Sequence, residues 1–402
     1  MTLSVTNSSQ GAPQGAPLGS YAECSSRASQ SHAEKRNASY QRRYTLQAAS
    51  ASLLPGERVC DCQRKVIPTQ HRSVSVNYQP GEDGKGTASF SGLQQCGSVW
   101  VCPVCAAKVS EKRRVEISQA IARWRTIRPE GRMLLITFTL SHHAGEQLED
   151  VLKALKRARE AVVSGRWAAG FKERYHISGM IRSLELTYGV NGWHPHMHVL
   201  YFLDEEPNLE GLTAELKLKW SQALETSKRY ASYKHGVDVK AGEGYLADYV
   251  AKFGKEPKSG WSYSHELAKS NIKQGRGEGL NPWQLLAGYA ELGDCDERNR
   301  LARLWWEYAR AMKGQRQLAW SRGFRELLEL GEEKTDEELA ESEEAGSITM
   351  CYISETGWRY VIANDLRADL LAAAATGERA ALQRIFDVMG FDTLWYRYPD
   401  GG

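Results

Sequence analysis

The run Trp193-His194-Pro195-His196-Met197-His198-Val199-Leu200-Tyr201-Phe202 sets three imidazoles inside an otherwise apolar, β-prone stretch. Alternate side chains of a strand share a face, so His196 and His198 point one way and Met197 and Val199 the other, and the two imidazoles converge on one point. Residues 181–188 read as a second strand, and Gly189-Val190-Asn191-Gly192 supplies the glycine and asparagine of a tight hairpin turn. If 189 and 192 face each other, Glu185 lies opposite His196; if the turn is Asn191-Gly192 alone, it lies opposite His198. Either register sets a carboxylate beside two imidazoles on an open sheet face. That donor set suits Mg²⁺ or Mn²⁺, with positions left for water and phosphate oxygens. His194 shares the face if the strand stays regular, as a residue behind the ligands or as a third imidazole.

A second reactive pattern follows in Gly244-Tyr245-Leu246-Ala247-Asp248-Tyr249-Val250-Ala251-Lys252-Phe253-Gly254-Lys255. Leu246, Val250 and Phe253 mark the buried stripe of a helix, and Tyr245, Tyr249 and Lys252 repeat that spacing one residue earlier. Two phenols one turn apart therefore border the stripe with an ammonium one turn further on. A tyrosine titrates near 10, so its use as a nucleophile at neutral pH calls for a nearby cation, a metal-activated target, or both.

The third pattern is Cys60-Asp61-Cys62, then Cys96, then Cys102-Pro103-Val104-Cys105. A C-x₂-C knuckle with two further cysteines matches a structural four-thiolate zinc site, read as Cys62, Cys96, Cys102 and Cys105 with Cys60 as the competing first ligand. Cys24, Cys295 and Cys351 are isolated and read as small apolar residues.

His194-Pro195-His196-Met197-His198, the Tyr245/Tyr249 helix and Ile136-Thr137-Phe138-Thr139-Leu140 resemble the three motifs of rolling-circle replication initiators of the HUH endonuclease superfamily. The resemblance is to the plasmid Rep branch that carries cysteine motifs before the nuclease, and it covers roughly residues 55 to 330. It implies a metal-dependent, strand-specific DNA endonuclease and strand transferase. In that chemistry a metal on Glu185, His196 and His198 polarises the scissile phosphate and Tyr249 attacks phosphorus. The products are a 5′-phosphotyrosine link and a free 3′-hydroxyl primer. Many plasmid members resemble one another in carrying Glu where this chain has Tyr245. That departure opens termination to Tyr245 as a second nucleophile or to an activated water on Glu243. The implied partners are origin DNA, single-stranded at the nick and duplex nearby, with a host helicase and polymerase. An HUH transposase or mobilisation relaxase shares these motifs, and a non-catalytic zinc-ribbon DNA-binding repressor is the alternative without chemistry.

These residues need elements to hold them. From Arg132 the pattern is strand 133–140, helix 146–164, strands 181–188 and 194–203, helix 209–228 and strand 235–240, a ferredoxin-like βαββαβ order of the α+β class. The histidine strand is then central in an antiparallel sheet, and the tyrosine helix follows directly. His142 and His143 fall in a loop after the first strand and take no ligand role. Before the sheet, residues 55–128 form a zinc-ribbon-like module with a hairpin around residues 71–92. Its closing helix, 107–127, carries Lys108, Lys112, Arg113, Arg114, Arg123 and Arg125, candidates for duplex contacts. Residues 129–260 are the nuclease unit. A helical extension, 261–330, includes helices from Pro282, over 300–312 and over 316–329, with Trp305 and Tyr308 as core. An acidic linker, 331–346, and a small α/β appendage, 347–402, with a strand pair around 348–362, complete the chain. Residues 1–54 read as a disordered or basic tail, in which 35–51, with Arg36, Arg42 and Arg43, is either a short basic helix or part of the same tail.

Composition bounds the rest. The 402 residues carry a net charge of +3, but 326–344 contains ten acidic residues and one lysine, a net of −9, which leaves +12 elsewhere. A basic remainder favours a polyanionic partner. With no signal-peptide pattern and no transmembrane-length apolar run, the expectation is a cytoplasmic protein without a membrane partner, and clustered cysteines there favour metal over disulfides.

Overall fold

The computed structural model describes residues 32–68, 72–81, 86–232, 234–242, 279–342 and 346–399. In chain order the elements are α1 (His32–Leu53), β1 (Ser73–Gln79), β2 (Thr87–Ser91), α2 (Pro103–Ile127), β3 (Arg132–Phe138), α3 (Leu148–Val163), α4 (Gly165–Arg174), β4 (Ile177–Gly189), β5 (Gly192–Leu203), α5 (Leu209–Glu225) and β6 (Val237–Ala241). After the next described residues come α6 (Pro282–Glu291), α7 (Asp296–Met312), β7 (Leu318–Trp320), α8 (Phe324–Leu327), α9 (Asp336–Glu341), β8 (Ile348–Ser354), α10 (Glu355–Ala363), α11 (Arg367–Ala374), α12 (Arg379–Val388) and β9 (Tyr396–Arg397). The chain is thus a mixed α+β protein with two antiparallel sheets.

The larger sheet has the order β6-β3-β5-β4-β7. Its strands carry apolar side chains on both faces. Ile136, Phe138, Met197, Val199 and Tyr201 pack beneath α3 and α5. On the other face Met133, Ile181, Leu200 and Phe202 pack against Ile117, Ile121 and Trp124 of α2. The contact between Leu200 and α2 marks a division of that face, because the alternate residues beyond it are His198, His196 and His194. One end of the face is therefore core, and the other carries the imidazoles.

The smaller sheet has the order β2-β1-β8-β9. Here the structure corrects several sequence expectations. Residues 348–362 are not a strand pair: β8 lies between β1 and β9, and Ser354 caps α10 by accepting from the Gly357 N–H. Residues 347–402 accordingly complete a sheet begun beside the cysteines. The helix expected over 316–329 is instead β7, which joins the edge of β4, and the single turn α8. Gly323, at φ +77°, is a left-handed turn residue that a continuous helix would not contain. Residues 32–53 form α1, the helical one of the two states left open for 35–51, and it buries Tyr40, Tyr44 and Leu46 in the core shared with the cysteines.

The acidic linker is also structured. Thr335 and Glu338 form a capping box that starts α9, and α9 docks on α2. Lys108 and Lys112 reach the backbone carbonyls of Ala340 and Leu339, and Arg113, only 4% exposed, pairs with Glu116 at 2.9 Å and Asp336 at 3.2 Å. Arg114 pairs with Glu111, and Arg123 with Glu329. Much of the charge on α2 that was expected to face duplex DNA is therefore answered by the chain's own acidic run. Among the described residues, no helix is long and apolar enough to cross a membrane.

Candidate metal centres

The β4–β5 hairpin closes with Gly189 opposite Gly192, the first of the two registers, so Glu185 stands opposite His196 and Ser183 opposite His198. Gly192 sits at φ +84°, a conformation that a side chain would strain. Stacking of Trp193 on Tyr308 of α7, with ring centroids 5.7 Å apart, pins the hairpin to the helical extension.

His198 is 7% exposed and held from both sides. Its Nε2 lies 2.9 Å from Glu185 Oε2, and its Nδ1 lies 3.0 Å from the hydroxyl of Thr137 on β3. With Nε2–H donating to the carboxylate, Nδ1 accepts from Thr137, which fixes both tautomer and ring plane. Glu185 reaches His198 along the diagonal between the strands, although His196 is its direct cross-strand neighbour.

The two imidazoles do not converge as expected. His196 and His198 stack nearly parallel, 7° apart in plane, with centroids 6.1 Å apart. The strand repeat explains this, since same-face residues two apart are about 6.6 Å apart. The arrangement brings Glu185 and His198 to a common point and leaves His196 as a second wall. On its other side His196 meets the His194 ring edge-on at 4.1 Å.

His194 continues the row to a residue that sequence reasoning left without a role. It hydrogen-bonds His142, whose Nδ1–H donates to the Asn191 carbonyl at 2.7 Å. Burial, reinforced by the neighbouring His142, lowers the His194 pKa to about 4, so this imidazole is neutral at pH 7. The available signal was the position of His142 just past the end of β3, the central strand beside the histidine strand. Tyr245, Tyr249 and Lys252, and with them Glu243, lie outside the described residues.

The cysteines form the tighter cluster. Among the described residues, Cys62, Cys96, Cys102 and Cys105 are the one group of three or more potential ligands whose donor atoms all lie within 4.8 Å of one another. The Sγ separations of 3.5 Å for Cys62–Cys105, 3.6 Å for Cys62–Cys102 and 3.7 Å for Cys96–Cys105 suit a tetrahedral ion. A Zn–S bond of about 2.3 Å requires sulfurs about 3.8 Å apart. Cys102 is the N-cap of α2, with Pro103 opening the helix and Cys105 in its first turn. Cys60 is excluded as the first ligand, because its thiol is directed to the carbonyls of Leu54 and Ala51.

Burial opposes ionisation of Cys102, but hydrogen bonds from Cys105, Cys62 and Cys96 prevail and hold it well below the usual thiol range. The same bonds to Cys102 push Cys62 and Cys105 up. Four thiols this close together in a buried pocket are what a divalent ion would relieve by replacing their protons. Behind it, Gln47 donates from Nε2 to the Cys62 carbonyl at 3.0 Å and to Cys102 Sγ at 3.6 Å. Arg367, 1% exposed, donates to Gln47 Oε1 at 2.7 Å and lies 4.2 Å over the Tyr44 ring. No local pattern could have paired Gln47 with a residue 320 positions away.

Comparison with known proteins adds an independent line. A family model described as a replication protein matches residues 91–363. The replication protein "Protein rep" of Streptomyces lividans is 30% identical over 73% of this chain and 80% of its own length. "Protein rep" of Lentilactobacillus hilgardii is 26% identical over 35% of this chain and 43% of its own length. A neomycin resistance protein of Streptomyces cyanogenus is 32% identical over 29% of this chain and 32% of its own. No solved structure matches.

Proposed function

Because this chain belongs to the replication protein family and is a plasmid replication initiator, we propose that it starts rolling-circle replication as a metal-dependent, site-specific single-strand DNA endonuclease and strand transferase. The observation that carries the chemistry is the Thr137-His198-Glu185 hydrogen-bonded set beside His196 on a central strand. The run β3-α3-α4-β4-β5-α5-β6, with sheet order β6-β3-β5-β4, supports a ferredoxin-like nuclease fold of the HUH kind. We read residues 129–260 as that nuclease and 55–128 as its zinc module, with Zn²⁺ on Cys62, Cys96, Cys102 and Cys105.

Glu185 and His198 would hold Mg²⁺ or Mn²⁺, a Lewis acid for the scissile phosphate, and His196, its ring 6.1 Å from that of His198, would have to turn towards them to join as the third ligand. The donor set fits because the carboxylate and His198 Nε2 already meet; with an ion on Nε2 the ring proton would sit on Nδ1 and be donated to the Thr137 hydroxyl. Thr137 keeps the His198 ring oriented for this, and His194, neutral at pH 7, adds no positive charge beside the site. Tyr249 attacks phosphorus, its oxygen forming the new P–O bond while the bond to O3′ breaks. The freed 3′-oxygen takes up a proton and becomes the primer end, and the 5′-phosphate stays on the tyrosine. Lys252, three residues on in the sequence, would favour the phenolate. Tyr245 then cleaves the regenerated site, or a water activated by Glu243 does so. Among the described residues, Ala241 at the end of β6 pairs with Leu134, and Leu280 bridges Tyr188 of β4. The partners in this reading are origin DNA, single-stranded at the nick and duplex beside it, and the host helicase and polymerase that extend the primer.

The test is nicking of a supercoiled origin plasmid with Mg²⁺ or Mn²⁺, followed by mass spectrometry of the protein–DNA adduct. The wild type should give open circles and an oligonucleotide on the Tyr249 peptide. Tyr249→Phe should give neither, His196→Ala and His198→Ala should bind DNA without nicking, and Tyr245→Phe should nick but not release circles. A wild type that leaves the plasmid supercoiled with both metals would overturn the reading.

A further inference from the structure

On the face of the large sheet opposite the histidines, three arginines come together. Arg182 projects from β4, Arg159 from α3, and Arg316 from the turn between α7 and β7. With Lys156, Ser183 and Gln315 they line a cavity of about 250 Å³. At about 30 Å³ per water, that is room for a phosphate group and its remaining hydration.

The electrostatics of the cluster are incomplete as they stand. Burial, then the like charges of Arg159 and Arg316, lower the Arg182 pKa to about 10, and Glu333 only partly opposes them. Among the described residues no carboxylate forms a hydrogen bond or ion pair with Arg182. Arg159 has only a loose contact with Glu160, at 3.5 Å. The larger cavity of about 750 Å³ beside α7, which Arg316 also lines, differs in this respect, since its Arg58, Arg310 and Lys313 are accompanied by Glu57, Glu333, Asp336 and Glu337. Guanidinium groups crowded in a partly dry cavity with no carboxylate in its lining are stabilised by an external anion. Their planar forks match phosphate oxygens.

We infer that the cavity bounded by Arg159, Arg182 and Arg316 binds one backbone phosphate of duplex DNA. The inference rests on the reading of origin DNA as partner. It places a duplex contact on the reverse side of the sheet from the proposed nicking site. A phosphate contact positions the duplex and carries no sequence information of its own.

The experiment is fluorescence anisotropy of a labelled 20-base-pair duplex with the full chain from 50 to 200 mM NaCl, alongside a titration with inorganic phosphate at constant ionic strength. Each phosphate neutralised contributes about 0.9 to the slope of log K against log salt. Arg182→Gln with Arg316→Gln should lower the slope by about 0.9 and weaken cognate and unrelated duplexes by the same factor. Arg182→Lys should retain most of the slope. Arg316→Gln alone, at an exposed position, serves as the variant that keeps its fold and should weaken binding in the same sequence-independent way. An unchanged slope, with millimolar phosphate raising the Tm of the wild type but not of the double variant and leaving duplex binding unaffected, would assign the cavity to free phosphate and overturn the duplex contact. An unchanged slope with no phosphate effect would overturn the site altogether. A wild type that fails to bind any duplex would overturn the DNA reading itself, a result distinct from either.

Discussion

Replacing Arg113 by methionine tests whether charge docks the acidic helix on α2. Methionine keeps the apolar stem of a side chain that is 4% exposed, so packing is largely preserved and the guanidinium is lost. The loss removes bonds to Glu116 at 2.9 Å, Asp336 at 3.2 Å and the Lys334 carbonyl at 2.7 Å. Breaking a buried ion pair from one side costs about 3–5 kcal/mol, because the remaining charge is stranded. Two features put this case at the lower end. Asp336 is 26% exposed and can regain water, and Glu116 keeps Arg325 at 3.5 Å. The expected cost is therefore about 3 kcal/mol, or on the order of 100-fold in the opening equilibrium of α9. Amide hydrogen exchange at Leu339 and Ser342, which donate to Thr335 and Glu338 within the helix, reads that opening directly. A double-mutant cycle with Asp336→Asn should show a coupling of at least about 1 kcal/mol. Protection within a factor of five of wild type, or additive effects in the cycle, would refute the reasoning and assign docking to the burial of Leu339 and Ala340.

Three further outcomes follow from the geometry. The purified chain should carry about one equivalent of zinc by mass spectrometry; Cys102→Ser and Cys105→Ser should lose it, whereas Cys60→Ser should retain it because that thiol faces carbonyls. Gly179→Ala should destabilise by about 2 kcal/mol in urea titrations, since the added Cβ would fall 2.0 Å from the buried Phe324 ring, and a neutral result would mean that the ring yields freely. His194, its pKa lowered to about 4 mainly by burial, takes up its proton near 6.5 only when unfolded. Its contribution to stability is therefore full above about pH 6.5 and declines as the pH falls towards 4. His194→Gln should flatten that part of the pH dependence of urea midpoints, measured without added Mg²⁺ or Mn²⁺, and parallel curves for variant and wild type would count against it.

Much of the histidine hairpin could be read from the sequence. Alternation located both strands, and the Gly-Val-Asn-Gly turn limited the register to two choices that both put Glu185 beside an imidazole. What alternation alone did not convey was the parallel stacking of His196 and His198, although the strand repeat that sets their spacing produces it. The C-x₂-C knuckle was legible for the same local reason. Choosing Cys62 over Cys60 depended on the 3-10 turn over Arg58–Cys60, which points Cys60 back at α1. Longer-range features were not legible. A three-residue strand such as β7 has too few positions to show a period, and Trp320 and Phe324, four apart, imitate a helix stripe. The docking of the acidic run on α2 was not legible because Asp336 and Glu329, the partners of Arg113 and Arg123, lie more than 200 positions away.

The position of β8 in the smaller sheet governs the order in which this protein can be made. Val76 pairs with Cys351, about 275 positions later, so β1 lacks its partner on that edge until that much more chain has been synthesised. At 5–20 residues per second the wait is roughly 15–55 s. By then all four zinc thiols have long emerged, since they lie between residues 62 and 105. Metal capture can therefore precede sheet closure and hold the amino-terminal segment together while the ribosome delivers the strand that completes it. A message interrupted before β8 would yield a chain with an open sheet edge beside the cysteine cluster, a form poorly fitted to seat α11 and its buried arginine. Synthesis to near the end of the chain is thus a condition for finishing the part that was made first.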